Sequence, residues 1–445
     1  VLLIIIITFV LQFTFFILND KINFITLVER HKIGRASVHF EELDSLTFLS
    51  KNLYNYANFL TRQMFIETTK EKEEGKREHA EWLRYNTLQK MLQNERQPDY
   101  TALPAKVSQQ VLMQLERDWK SFFEALKVYK TSKDKFTGRP KLPKYKDKQC
   151  GRNLLTYTIQ AVSKTELKSS VIALSGTSVK IRTKQHEIQQ VRVVPRVGFY
   201  VVDVVYKKKK EDLCLDKKRV AGIDIGVNNL AAVTSNVCGV TPLLINGRPL
   251  KNINAYYNKK LAKYKSIIGV GTSRRIRTLT EKRNNKVDYY LHHASKLIVS
   301  HLVFNNIGTL VIGKNKQWKT SVSMGVVGNQ NFVQIPHARF IEMLQYKAES
   351  VGITVFTTEE AHTSKCSFID NEPIEHRAKY VGKRVKRGLF KSGAGTLINA
   401  DCNGSGNIIR KVIPNAFAEG IQGVVVSPKR VLSTLNSLKN IPQFS

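Results

Sequence analysis

The segment RVAGIDIGVNNLAAVTS, residues 219–235, constrains the fold of this chain more than any other. An apolar strand carries Asp224 in its middle, Gly226-Val227-Asn228-Asn229 turns the chain, and a second apolar strand returns. A carboxylate inside a buried strand is costly to desolvate unless something holds it. Two readings follow from the segment alone: an aspartate satisfied by backbone donors of the following turn, or an aspartate facing a metal ion. From about residue 217 onward strand and helix patterns alternate, which predicts a mixed α/β domain.

A second acidic position lies far downstream in GTLINADCNGSGNIIRKVIP, residues 395–414. Asp401 ends a strand-like approach and precedes Asn403, Gly404 and Asn407, and a helical face begins at Ile408 and Ile409. Carboxylates converging from distant strands suit two magnesium ions roughly 3.5–4 Å apart, which activate a water and stabilise the leaving oxygen in phosphodiester hydrolysis.

Charge points to the same class of partner. The 445 residues hold 71 Lys and Arg against 36 Asp and Glu, a net charge of +35. Such a surplus repels itself unless a polyanion shares the surface, so nucleic acid is the expected partner. Cys150, Cys214, Cys238, Cys366 and Cys402 contain no CxxC pair, which supports neither a disulfide framework nor a zinc ribbon and fits a reducing cytoplasm. Residues 1–18 are almost wholly apolar and long enough to span a membrane, but no basic region precedes them and no small-residue cleavage site follows. The stretch reads as a disposable or artefactual extension, with a buried or membrane helix as the alternative.

In the first half, residues 43–65 and 107–129 carry apolar side chains at helical spacing, and the charged stretch 69–79 is expected as an exposed connection. Between residues 127 and 148 nine basic residues, among them Lys135, Arg139, Lys141, Lys144 and Lys146, accompany Phe136, Tyr145 and two prolines. The segment suits phosphate contacts and stacking on aromatic rings, or serves as a solvated linker. Residues 191–210 read as a β-hairpin and 272–304 as a long helix. In that helix Arg274, Arg275, Arg277, Lys282 and Arg283 track a phosphate backbone or a solvated face, and Asp288, His292 and His293 read as surface residues rather than ligands.

The pair IDIGVNNL and INADCNGSGNI resembles the first and third RuvC motifs of the TnpB (OrfB) proteins of small insertion sequences. Further similar segments are 50–65, 100–112, 138–146, 312–319, 329–337, 346–353 and 387–401, so the resemblance runs from about residue 27 to 414. It implies an RNase H-like (RuvC) α/β nuclease domain and an N-terminal β-rich wedge with a helical insert. In that layout residues 1–25 are an extension, 26–42 wedge strand, 43–130 helical recognition insert and 131–216 wedge with basic linker. Residues 217–360 open the nuclease domain, 361–397 form a basic insert, 398–414 the third motif and 415–445 a tail. The activity implied is RNA-guided, Mg2+- or Mn2+-dependent cleavage of double-stranded DNA beside a short flanking motif. The guide is an RNA from the transposon end, and the setting is the prokaryotic cytoplasm and nucleoid. Base pairing then supplies sequence specificity while the protein reads backbone shape.

The chain departs from this pattern at the second motif, where Gly313 stands in place of the expected Glu. Either catalysis is lost, leaving an RNA-guided DNA-binding repressor, or the acid has moved to Glu359 or Glu360 after the next strand; successive strand residues face opposite ways, so one of the pair is expected to ligate, and Glu360 is the preferred one. The expected metal ligands are thus Asp224, Glu360 and Asp401. A guide-independent RuvC-like transposase is a further alternative. Cys366 lacks the partners of the zinc finger many relatives carry, so no zinc is expected. Lys314, Asn315, Trp318, Lys319, Lys383, Arg384 and Arg387 are expected to touch nucleic acid, and His362 to pack or stack.

Overall fold

The computed structural model describes residues 24–314, 334–418 and 427–431. The chain divides into two compact units, one of residues 26–208 and one beginning at residue 209. The apolar stretch over residues 1–18 lies outside the described residues; among these, no helix is long and apolar enough to cross a membrane.

In the first unit, β1 (Phe24–Gly34), β2 (Leu155–Thr158), β5 (Ile188–Arg196) and β6 (Phe199–Lys209) form a sheet of order β1-β6-β5-β2. The β5–β6 pair is an antiparallel hairpin, and Gly198 supplies the left-handed backbone that its turn needs. A ribbon of β3 (Val171–Ala173) and β4 (Lys180–Arg182) follows a short helix, Lys164–Lys168. The helical layer is built on α1 (Phe40–Glu73) and α4 (Ala105–Thr131), with α2 (Tyr85–Asn94) and α3 (Pro98–Ala102) between them; the Lys164–Lys168 helix is α5. α1 buries Leu43, Leu46, Leu53, Tyr54 and Ala57; α4 buries Val107, Val111, Leu115 and Trp119. The Trp119 indole donates to Asn58 Oδ1 at 3.1 Å, which satisfies its one polar atom in the core. The expected connection over 69–79 begins later, because α1 continues to Glu73.

The second unit holds a six-stranded sheet of order β11-β10-β7-β8-β9-β15. β7 (Asp216–Ile225), β8 (Asn229–Ser235) and β9 (Leu243–Asn246) form an antiparallel meander. β10 (Ile307–Gly313) runs parallel to β7, β11 (Thr354–Thr358) parallel to β10, and β15 (Lys429–Val431) parallel to β9. Helices α6 (Arg248–Ile268) and α7 (Arg274–Phe304) follow the meander, and α8 (His337–Glu349) lies between β10 and β11 in the chain. Strand alternation sorts the two faces. Ile223, Ile225, Leu310 and Ile312 share a core with Tyr290, Leu291, Ile298, Phe340 and Leu344 of α7 and α8. Val220 and Val311 point the other way, onto Ile408 and Ile409 of α9 (Ala400–Val412). Asp224 belongs to this second set, two and four residues on from Gly222 and Val220.

α9 begins at Ala400 rather than near Ile408, so Asn403, Gly404, Ser405, Gly406 and Asn407 are helical and buried. Glycines set its distance from the sheet. A Cβ on Gly222 would collide with the Ser405 carbonyl, and one on Gly406 would lie 2.7 Å from the Phe368 ring. A small sheet of β12 (Lys383–Lys386), β13 (Leu389–Lys391) and β14 (Leu397–Asn399) leads into this helix.

Candidate metal centre

Asp224 is the penultimate residue of β7 and faces the first turns of α9, where a Cβ on Gly404 would stand 2.5 Å from its Oδ2. Asp401 lies in the first turn of the same helix, three residues before Gly404. Asn399 caps that turn, its Oδ1 accepting from the backbone N–H groups of Asp401 (3.0 Å) and Cys402 (3.2 Å). Asn229, the first residue of β8, donates its Nδ2 to Asp401 Oδ2 at 2.6 Å and so fixes the carboxylate.

Glu360 completes the set. β10 and β11 are parallel neighbours with Gly313 beside Thr358, so both strands end at the same edge. A Cβ on Gly313 would fall 2.5 Å from Glu360 Oε1 and 2.7 Å from its Cγ. The Glu360 side chain therefore fills the space that a side chain at position 313 would enter. Glu359 is exposed to solvent. Both glutamates follow the last residue of β11, so strand alternation does not choose between them; the space left by Gly313, which Glu360 occupies, sets them apart.

The three acids feel one another. Burial, then the Glu360 and Asp401 carboxylates, push Asp224 well above the usual carboxylate range, while the Arg384 guanidinium acts in the opposite direction. Arg384 stands 3.9 Å from Asp401 Oδ1. Among the described residues, no three His, Cys, Asp or Glu side chains already close on one point as a ready cage for an ion. Magnesium does not require one, since it keeps several waters and binds through one or two carboxylates. Hard oxygen donors that repel one another, set in space kept open by Gly313 and Gly404, fit such an ion.

Beside this centre opens a cleft of about 950 Å3 floored by Gly226, Val227, Asn228, Asn229 and Asp401. Arg248 and Lys251 of α6, Arg384, Lys386 and Arg387 of the β12–β13 hairpin, and Arg430 of β15 line it. The structure thus brings Arg384 and Arg387 to the acids; Lys383 is exposed on β12 and does not line the cleft. Lys314 is exposed directly after β10. Asn315, Trp318 and Lys319 lie outside the described residues. Arg248, Lys251 and Arg430 were not foreseen, and the only signal was the Arg248–Lys251 spacing at a helix start.

The basic segment of the first unit is neither wholly irregular nor loose. Its first part continues α4 to Thr131. Its second part is stapled by α1, where Asn55 and Asn58 donate to the carbonyls of Lys146 (2.9 Å) and Pro143 (3.0 Å), and Lys51 to that of Lys148 (2.7 Å). Lys135, Arg139, Lys141, Lys144 and Tyr145 are exposed, whereas Lys146 is half-buried, its ammonium 4.7 Å from the centre of the Tyr54 ring.

Of the remaining candidates, Asp288 is ion-paired with Arg339 at 2.5 Å and the His293 ring packs tilted against Tyr289. His362 packs edge-on to His376. The five cysteines are free, with Cys366 and Cys402 buried. Buried Glu372 accepts from the N–H groups of Ser367 (2.6 Å) and Val381 (2.9 Å), and the Asn403 and Asn407 amides of α9 bind the Cys366 carbonyl, both at 2.8 Å.

Fold and site define a mixed α/β protein with an acidic centre at the strand ends of its sheet, opening into a cationic cleft. Residues 203–319 match the family model OrfB_IS605, a probable transposase, and residues 337–408 match the Cas12f1-like TNB domain. The TnpB-like protein ORF457 of Acidianus two-tailed virus is 24% identical over 412 residues, covering 84% of this chain and 83% of the relative. The chain is thus similar to TnpB-like proteins over most of its length. Similar solved structures include a Cas12f1–sgRNA–target DNA complex (14% identity, 86% of this chain and 98% of that one, TM-score 0.49). A second is the mini RNA-guided endonuclease CRISPR-Cas_phi3 (8% identity, 92% and 94%, TM-score 0.44).

Proposed function

We propose that this chain is an RNA-guided DNA endonuclease encoded by an insertion sequence, acting in the cytoplasm at the nucleoid and cutting duplex DNA next to a short flanking motif. Residues 217–414 form an RNase H-like, RuvC-type domain in this reading, and residues 26–216 a β-rich wedge with a helical insert. The antiparallel β7-β8-β9 meander with β10 and β11 added parallel on its other side supports the assignment.

The observation that carries the reading is the meeting of Asp224, Glu360 and Asp401 at one edge of the sheet, beside a cleft walled by Arg and Lys. Asp224, Glu360 and Asp401 would hold magnesium or manganese, which when bound activates a water and stabilises charge on the oxygens of an in-line phosphodiester displacement. Asn229 orients Asp401 for that task. The cleft's cations, Arg384 and Arg387 above all, draw the phosphate backbone against the acids. The space above Gly313 and its filling by Glu360 favour a relocated acid over a lost one, hence an enzyme rather than a repressor.

Sequencing the RNA that co-purifies with the chain and then challenging the complex with a guide-matched plasmid tests the proposal. Cleavage that needs both the RNA and a divalent ion, and that vanishes with Asp224→Ala while binding persists, is the expected result. Cutting without RNA assigns the chain to guide-independent nucleases, and binding without cutting to repressors.

A further inference from the structure

We propose that the groove between α6 and α7 holds a single-stranded stretch of the DNA strand presented to the acidic centre, an inference that rests on the nuclease reading above. The groove encloses about 980 Å3 and combines two kinds of side chain. Tyr256, Tyr257 and Tyr264 come from α6, and Arg274, Arg275 and Lys282 from α7. Tyr256 is 59% exposed, and all three of these cations are exposed. Cations gathered on one wall repel one another until a polyanion arrives. Every base offers a π-face to a tyrosine ring while its phosphates reach nearby cations, so rings beside cations hold a single strand whatever its sequence. A duplex keeps its bases stacked inside and would leave the rings unused.

The groove is also shaped in advance. Arg283 donates its Nε to Asn254 Oδ1 at 2.8 Å and sits 5.9 Å from the centre of the Tyr257 ring, tying the two helices together on its floor. Its position selects the strand. α6 begins in the wall of the acidic cleft with Arg248 and Lys251, and its next residue, Asn252, already lines the groove. From Lys251 to Tyr264 the helix advances about 20 Å. A strand with one phosphate at Asp401 is therefore led along α6 onto the tyrosines.

Binding can be read without cutting. The full chain carrying Asp224→Ala is titrated with a short fluorescent oligothymidylate, an abasic oligonucleotide of equal length, and an oligouridylate. Tyr256→Ala combined with Tyr264→Ala is expected to weaken oligothymidylate binding by about tenfold or more and to leave the abasic strand within about twofold. Arg274→Ala with Arg275→Ala is expected to weaken both and to flatten their salt dependence. All these positions lie on helix surfaces, and an unchanged melting temperature confirms that the variants fold. Unchanged oligothymidylate affinity in the tyrosine variant overturns the groove, and a larger loss on oligouridylate than on oligothymidylate overturns its assignment to DNA. Loss of binding through the tyrosines, where the parent chain with its co-purified RNA cuts no guide-matched plasmid, contradicts the nuclease reading instead and leaves the groove as a single-strand site.

Discussion

Ionised Asp224 works against the fold when no cation is bound. Burial and the like charges of Glu360 and Asp401 raise its pKa, so between the unfolded value and the raised folded value the native state carries more protons than the unfolded one. Stability then falls as pH rises through that window. Asp224→Asn should therefore melt higher than the parent at neutral pH without divalent ions, and its advantage should shrink as pH drops towards the ordinary carboxylate range, as thermal melts across pH will measure. Magnesium should reverse the order, stabilising the parent more than the variant. Asn229 acts by aiming Asp401. Asn229→Ala should lower cleavage about 10–100-fold while DNA affinity, measured in parallel, changes little.

At the scale of elements, the centre exists because α9 approaches β7 at Gly222 and Gly404, where no side chain intervenes. Gly222→Ala would force a methyl group into the Ser405 carbonyl, and overpacking of this kind costs about 1–3 kcal/mol, readable in chemical denaturation. The insert before α9 depends on Glu372 in a comparable way. Glu372→Ala strands the buried N–H of Ser367, at about 1–3 kcal/mol, and leaves that of exposed Val381 to water. The loss should be the same with zinc or chelator present, since carboxylate and amide bonds hold the segment. Asp224 and Asp401 were legible in the sequence because each interrupts an apolar approach. The helical state of NGSGN, residues 403–407, was not, since Gly, Ser and Asn favour loops by propensity; close packing against β7 and Phe368 overrides that preference. Glu360 could be narrowed only to a pair, because the choice depends on the neighbouring strand's Gly313. The Arg248, Lys251 and Arg430 wall stayed hidden because α6 and β15 meet the β12–β13 hairpin only in three dimensions.

The whole molecule carries +35, and part of that charge lines the cleft beside the acids. Affinity for duplex DNA should fall steeply with salt, with a log–log slope of about −0.9 per phosphate neutralised. Arg384→Ala with Arg387→Ala should flatten that slope by about two phosphate contacts and weaken binding to matched and unmatched sequences alike, because backbone contacts carry no sequence information. The most direct measurement is magnesium-dependent cleavage of a guide-matched plasmid by the RNA-bound parent, Glu360→Gln and Glu359→Gln. Glu360→Gln is expected to bind the plasmid without cutting it, while Glu359→Gln cuts at nearly the parental rate. Undiminished cutting by Glu360→Gln would contradict the proposed metal centre.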